Sequence, residues 1–236
     1  MSLYAIADLH LSFQADGSIS KPMDRFGERW SDHHIRLRVN WISAVKPEDT
    51  VIVAGDISWA LKLNDAENDF EWLHDLPGTK VITRGNHDLW WHSITKMNDM
   101  YEDIIFLQNR AYILPGDSSC ICGTRGWICP GTEGFDEHDM KIYQRELMRL
   151  RFSLEEAKTS GIKDIVCALH YPPTNDRFQD SGFTDMLAEY GVKTCVYGHL
   201  HGKNGYRCGF RGELGGVDYK LVSLDYLNAV PVKIRE

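Results

Sequence analysis

The chain has 236 residues, 43% of them hydrophobic, and a formal net charge of −8. That length and apolar content suit an α/β domain with a core of its own, and charge spread along the sequence excludes a solvated, disordered class. The acidic balance disfavours nucleic acid as a partner, since a binder of that kind relies on a broad basic surface, but bound cations reverse the field locally and leave anionic small molecules open. One domain over residues 1–236 is the expectation, with no membrane partner because no apolar run approaches a spanning length. No charged leader followed by an apolar stretch opens the sequence, so the cytoplasm is the expected compartment. Its six cysteines lack the paired CxxC spacing of a structural zinc site and read as reduced thiols, Cys167 and Cys195 packing as small hydrophobes.

Five stretches share one design. "LYAIAD" at the start, "TVIVAGD" at residues 50–56, "KVITRGNHD" from Lys80, "DIVCALH" at 164–170 and "KTCVYGHLH" at 193–201 are apolar or β-branched runs that stop at polar, metal-capable side chains. Continuous runs of this kind predict strands buried on both faces, with helices between them. A helix is predicted within 31–45, with Ile35, Val39, Ile42 and Val45 facing inward. Another is predicted from about Asn64 to a point before Pro77. A third runs over 136–159, where Met140, Tyr143, Leu147, Leu150, Leu154 and Ala157 form an apolar stripe. Its Lys141, Arg145, Arg149 and Arg151 read as a solvated face in preference to a phosphate site. "YKLVSL" and "AVPVKI" close the chain as strands.

The polar strand ends, in order, are Asp8 and His10, Asp56, the run Asn86-His87-Asp88, His170, and His199 with His201. Ligand sites in open α/β sheets gather at the carboxyl ends of strands, so these side chains are expected to converge. Oxygen and imidazole donors without a thiolate suit two borderline divalent cations. If the segments stay extended, residues two apart point the same way, which would aim Asp8 with His10 and His199 with His201. Gly55, Gly85 and Gly198 sit where the backbone must turn sharply. Any one of these residues taken singly is more often a helix cap or a satisfied polar group. For His33, His34, His74, His92 and His138 that reading leads.

This ordered set resembles the calcineurin-like metallophosphoesterases, within them a bacterial phosphohydrolase subgroup with stretches like "KPMDRFG", "GNHDLWW" and "GTRGW". The resemblance implies a four-layer α/β/β/α sandwich of two mixed sheets flanked by helices, with the metal site at the strand C-terminal ends. It implies Asp8, His10, Asp56 and His201 around one metal, and Asp56, Asn86, His170 and His199 around a second, Asp56 bridging. The metals would be manganese first, with iron, zinc, cobalt or nickel as alternatives. Metal-activated water would attack a small-molecule phosphodiester or phosphomonoester, and His87 would protonate the leaving group. Asp88 would orient His87 or secure the turn. Asp56 is followed by "ISWAL" and the asparagine block ends in Asp88, which separates the chain from the phosphoprotein phosphatase branch.

Candidate substrate contacts are Arg84, Trp90, Trp91, Arg125 and Tyr171, with Trp90 and Trp91 facing either the cleft or the core. Residues 11–30 are expected as a mobile cover. Two alternatives belong to other classes. A nuclease would bring basic surface or further domains, and a metal-free scaffold would have lost ligand positions, all of which are filled here. Oligomeric state has no signature in the sequence.

Overall fold

The computed structural model describes residues 1–116 and 119–236. The described chain falls into two compact units, residues 1–106 with 222–236, and residues 107–221. The first unit holds β1 (Leu3–Ile6), α1 (His33–Ala44), β2 (Thr50–Ala54), α2 (Glu67–His74), β3 (Thr79–Thr83), α3 (Ile94–Asn98) and β4 (Ile104–Phe106). The second holds β5 (Tyr112–Ile113), β6 (Ser119–Thr124), α4 (Glu137–Ser160), β7 (Asp164–Leu169), α5 (Gly182–Glu189), β8 (Thr194–Tyr197), α6 (Gly202–Arg207), β9 (Gly212–Leu214) and β10 (Val217–Leu221). The chain then returns to the first unit with β11 (Val232–Arg235).

Each unit is built on one mixed sheet with helices against it. In the first, the strand order is β11-β1-β2-β3-β4, all parallel except β11, which pairs antiparallel with β1. In the second, β6, β7, β8 and β10 run parallel, and short antiparallel strands β5 and β9 finish the edges of the order β5-β6-β7-β8-β10-β9. All five expected strands form, and β1, β2 and β8 are buried along their whole length. That is the burial their unbroken apolar runs require. All six cysteines are free thiols, and Cys167 and Cys195 lie opposite each other in neighbouring strands. No helix among the described residues is long and apolar enough to cross a membrane.

The long helix α4 is set by its ends. Asp136 accepts from the Asp139 N–H at 2.9 Å, Asp139 returns the bond to the Asp136 N–H, and Gly161 stops the helix at φ 79°. That is a capping box followed by a left-handed glycine. Tyr143, Leu150, Leu154 and Ala157 are buried as expected. The short helix α5 uses the same reciprocal cap between Ser181 and Thr184.

Helix α1 corrects the sequence reading. Ile35, Val39 and Ile42, expected inward, are 54%, 62% and 53% exposed, while His33, Leu37 and Trp41 are buried. Two apolar stripes compete for the core on this helix, and the one carrying the indole prevails. Trp41 also donates through Nε1 to the Pro77 carbonyl at 2.9 Å. Only Val45 of the expected set is buried. The segment at residues 11–30 is anchored as well. Phe13 and Ile19 form a bridge, two 3-10 turns follow at Met23–Phe26 and Glu28–Trp30, and Met23 and Trp30 join the core of the first unit. Arg29 Nη1 bonds the Asp225 carbonyl at 2.8 Å, so the expected cover is tied down at its far end.

The two faces of α1 separate in a stability measurement. Trp41→Ala is expected to cost about 3–5 kcal/mol in urea unfolding, and Val39→Ala to change stability by less than about 0.5 kcal/mol. Equal losses would place the buried stripe on the wrong face.

Candidate metal centre

Within the first unit, the loops after β1, β2 and β3 meet side by side. Backbone bonds continue past the strand ends: Asp8 N–H to the Gly55 carbonyl at 2.9 Å, His10 N–H to Asp56 at 3.0 Å, and Leu11 N–H to Ile57 at 2.9 Å. The residues expected as ligands are not extended, however. Asp8, His10 and Asp56 take φ of 62°, 46° and 53°. Left-handed conformations cost non-glycine residues energy and persist only where the surroundings over-determine them. The alternation expected for Asp8 and His10 therefore gives way to a succession of strained turns.

The turn at Asp56 is fixed by Asp88, which is fully buried. Its Oδ2 accepts from the N–H of Asp56 at 2.9 Å and of Gly85 at 2.7 Å. Its Oδ1 accepts from Ile57 N–H at 2.9 Å, Ser58 N–H at 3.4 Å and Trp90 Nε1 at 3.1 Å. A carboxylate can accept about four bonds, and each amide it takes would otherwise be buried without a partner. Of the two roles left open for Asp88, these bonds are those of a residue that secures the turn. Asp88 joins the β2 loop to the β3 loop.

Gly85 completes the junction. A Cβ there would lie 2.0 Å from Asp56 Oδ1 and 2.2 Å from its backbone nitrogen. Its φ is not in the left-handed range, so the requirement is close approach; Gly55, at φ 87°, is the one that makes the turn. The Asp56 carboxylate is then aimed by the His87 N–H, 2.8 Å from Oδ1, and its Oδ2 lies 3.8 Å from His10 Nε2.

Trp59, which the sequence reading passed over, sits between the imidazoles. Its ring stacks on His10 with centroids 4.8 Å apart and lies 4.4 Å from His87, while Lys21 Nζ is 4.7 Å from its centroid. The only signal was its place three residues after Asp56. His87 is exposed, Asn86 and Arg84 are partly exposed. Trp90 faces the core, 2% exposed and packed on Phe70 at 4.9 Å and Phe106 at 6.0 Å. Trp91 is half-buried against Phe106 and belongs to the same core. Of the histidines given a structural reading, His33 is buried with Nε2 3.0 Å from the Leu9 carbonyl. His74 pairs with Asp103 at 2.6 Å, a carboxylate it shares with the buried Lys80.

In the second unit, His170 and Tyr171 follow β7, and both N–H groups donate to the Arg125 carbonyl, at 3.0 and 2.9 Å. Gly198 N–H returns to the His170 carbonyl at 3.1 Å, bringing the β8 loop alongside. His199 takes φ 71°, and His201 is extended at φ −121°. The His199 ring lies 5.1 Å from His170 and 4.1 Å from Tyr171, so this loop too is left-handed at one of its expected ligands.

Arg125 stacks on Trp127 at 4.6 Å and lies 3.6 Å from Glu146. Glu146 is fully buried and also holds Arg149 at 2.9 Å, Arg145 at 3.6 Å and the Thr124 hydroxyl at 2.6 Å. Arg145 and Arg149, expected as solvated, thus have a structural partner. A carboxylate at position 146, on the apolar face between Tyr143 and Leu150, was the readable sign of it.

The donors fit borderline divalent cations. Asp8, His10 and Asp56 in the first unit, and His170 and His201 in the second, each offer an atom suited to a metal ion. They are carboxylates and imidazoles, Asp8, His10, Asp56 and His170 are buried, and no thiolate is among them. Burying Asp8 and Asp56 beside other polar groups in the first unit is costly unless a counter-charge arrives.

A model of the calcineurin-like phosphoesterase family matches residues 1–203. Among solved structures, the chain is similar to a phosphopantetheinyl hydrolase from Mycobacterium tuberculosis, at 15% identity over 99% of this chain and 95% of that one, with TM-score 0.57. It is also similar to a Thermus thermophilus protein, at 11% identity over 99% and 97%, TM-score 0.58. A protein of unknown function from Aquifex aeolicus gives 16% identity over 98% and 95%, TM-score 0.51. At such identities the likeness is one of fold. No curated protein sequence matches.

Asp88→Ala strands the amides of Asp56, Ile57 and Gly85, and a loss of about 3 kcal/mol or more is expected in urea unfolding, with Gly85→Ala at least about 1–3 kcal/mol. Wild-type stability in either variant would contradict the junction.

Burial holds the His33 imidazole down to about 4 from 6.5, and burial pushes the Asp69 carboxyl up to about 6 from 3.8 despite its bonds from Ser58 and Phe13. Between pH 4 and 6.5 the unfolded chain protonates His33 while the folded chain does not, so that contribution grows with pH, by about 3 kcal/mol. Folded Asp69 keeps a proton that the unfolded chain has released above pH 3.8, so its contribution shrinks by about as much up to pH 6. The two offset in the wild type. In Asp69→Asn, stability relative to wild type should rise as pH goes from 4 to 6, and parallel profiles would contradict the Asp69 assignment.

Proposed function

The chain belongs to the calcineurin-like phosphoesterase family and is a metal-dependent phosphoester hydrolase, and from that premise we propose that it cleaves a small-molecule phosphodiester or phosphomonoester. In this reading residues 1–236 work as one domain. Asp8, His10, Asp56 and His201 hold one divalent ion, and Asp56, Asn86, His170 and His199 hold the other, with manganese the first choice. The observation that carries the reading is the Asp56 carboxylate: buried, held in a left-handed turn by Asp88, and aimed by the His87 amide beside His10. A carboxylate so fixed is suited to span two ions, which lie about 3.5–4 Å apart in hydrolytic pairs.

Such ions, when bound, lower the pKa of water and offset charge on phosphoryl oxygens. The chain's own residues do the rest. His87, exposed next to Asp56, is placed to give a proton to the departing alcohol oxygen, and Trp59 packed against its ring limits the directions it can take. Its backbone amide is committed to Asp56, so the ligand and the acid are positioned by one peptide unit. Arg125, braced by Glu146 and Trp127, and Tyr171 contact the substrate from the second unit's loops, with Arg84 as a further contact. Trp90 is left out of that set because it is in the core.

Turnover of p-nitrophenyl phosphate and its bis-ester on manganese-loaded protein tests the reading. His87→Ala should keep its metal and lose about 10²–10⁴-fold in kcat, whereas Asp56→Ala should lose metal by elemental analysis. Full turnover in His87→Ala would remove it from the acid role.

A further inference from the structure

The two chain segments that carry Asp8–His10 and Asp56 do not end at the proposed centre. They run on together to form the walls of a cleft. Ser12, Phe13, Gln14 and Ala15 follow His10, and Trp59, Ala60 and Leu61 follow Asp56. The cleft has a volume of about 460 Å³ and is closed on its third side by Asn64, Asp65 and Asn68, at and before the start of α2. Small-molecule sites commonly measure about 300–1,000 Å³.

Its floor is Asp69, 1% exposed. One carboxylate oxygen accepts the Phe13 N–H at 2.7 Å and the other accepts the Ser58 hydroxyl, so a single buried group ties both walls together. The Ser58 oxygen in turn accepts the Ala60 N–H at 3.0 Å, and Ser12 Oγ accepts the Lys21 N–H at 3.0 Å. The cleft is therefore pre-formed, which spares a ligand the ordering of its walls. Trp59 is shared: it lines the cleft and its ring lies 4.4 Å from His87. A group leaving past His87 reaches the cleft next.

The lining selects what that group can be. Gln14, Asn64 and Asn68 present amides, Asp65 a carboxylate, and Ser12 and Ser20 hydroxyls. Among the described residues, the Gln14, Asn64 and Asp65 side chains make no hydrogen bond within the protein, so all three are available to a ligand. Neither lysine nor arginine lines the cleft, and two carboxylates do, which repels a second phosphate. An alkyl chain would strip water from these amides without replacing its hydrogen bonds. A molecule rich in hydroxyls supplies both donors and acceptors and meets neither penalty.

We propose that the cleft between Ser12–Ala15, Trp59–Leu61 and Asn64–Asn68 is a leaving-group subsite that takes a polyhydroxylated alcohol, a sugar or polyol, from the phosphoester. This rests on the hydrolase reading above for the word leaving; the cleft and its chemistry stand without it. Asp65 and Asn68 set the preference, and Trp59 passes the alcohol from His87 to the cleft.

Alcohol release is measured from two phosphoesters matched in size, one of glycerol and one of propan-1-ol, beside the p-nitrophenyl esters. The wild type should favour the glycerol ester by about tenfold or more in kcat/KM, and both Asp65→Lys and Asn68→Leu should bring that ratio toward one. Asp65 is exposed, so its variant has no core to disturb. A wild-type ratio near one, or a ratio unmoved in both variants, overturns the subsite while leaving the hydrolase intact. A readout independent of turnover is the Trp59 indole N–H resonance in metal-free protein, which should shift on titration with glycerol and not with propan-1-ol or inorganic phosphate. A resonance indifferent to glycerol overturns the subsite even in an active enzyme. Absence of turnover on every ester, with the glycerol shift present, overturns the hydrolase reading and the leaving-group assignment but not the polyol cleft.

Discussion

One buried carboxylate organises the first unit's strand ends. Asp88 accepts backbone N–H groups from both the β2 loop and its own β3 loop, and those bonds fix the left-handed turn in which Asp56 is held. Gly85 can then approach within a distance no side chain would permit. The His87 amide reaches Asp56 only because that approach has been made. Strain at Asp8, His10 and Asp56 is thus held by a sheet on one side and by a charge-assisted hydrogen-bond junction on the other.

The same logic repeats outward from the site. Asp69 joins the segment after His10 to the segment after Asp56, as Asp88 joins β2 to β3. In the second unit Glu146 does comparable work, gathering Thr124, Arg125, Arg145 and Arg149 around one fully buried carboxylate. Asp88 and Glu146 are buried with several donors around them, whereas at Asp69 two donors leave desolvation the stronger effect, and each would be a liability alone. Loops that carry chemistry are held here by carboxylates, while the strands beneath them are held by apolar burial.

Much of this was legible in the sequence because strands buried on both faces leave unbroken apolar runs, and each of the five runs became a strand. The polar residues that end those runs were equally visible. What period and composition could not show was which of two apolar stripes on α1 faces inward, since Ile35, Val39 and Ile42 look as suitable as Leu37 and Trp41. The short strands β4, β5 and β9, of two or three residues, carry too little pattern to read. Asp88 was visible as a residue but not as a junction, because its partners are backbone amides about 30 positions away. Trp59 and Glu146 act through neighbours distant in sequence, and Trp90 took the core side of an alternative that a bare "WW" leaves open.

The junction at Asp88 prepares the donors for ions. Elemental analysis of manganese after dialysis, on wild type and on Asp88→Ala refolded to the same secondary structure, measures this directly. Two ions per wild-type chain and a clear deficit in Asp88→Ala is the predicted result. Equal metal in the two proteins, or none in the wild type, would contradict it.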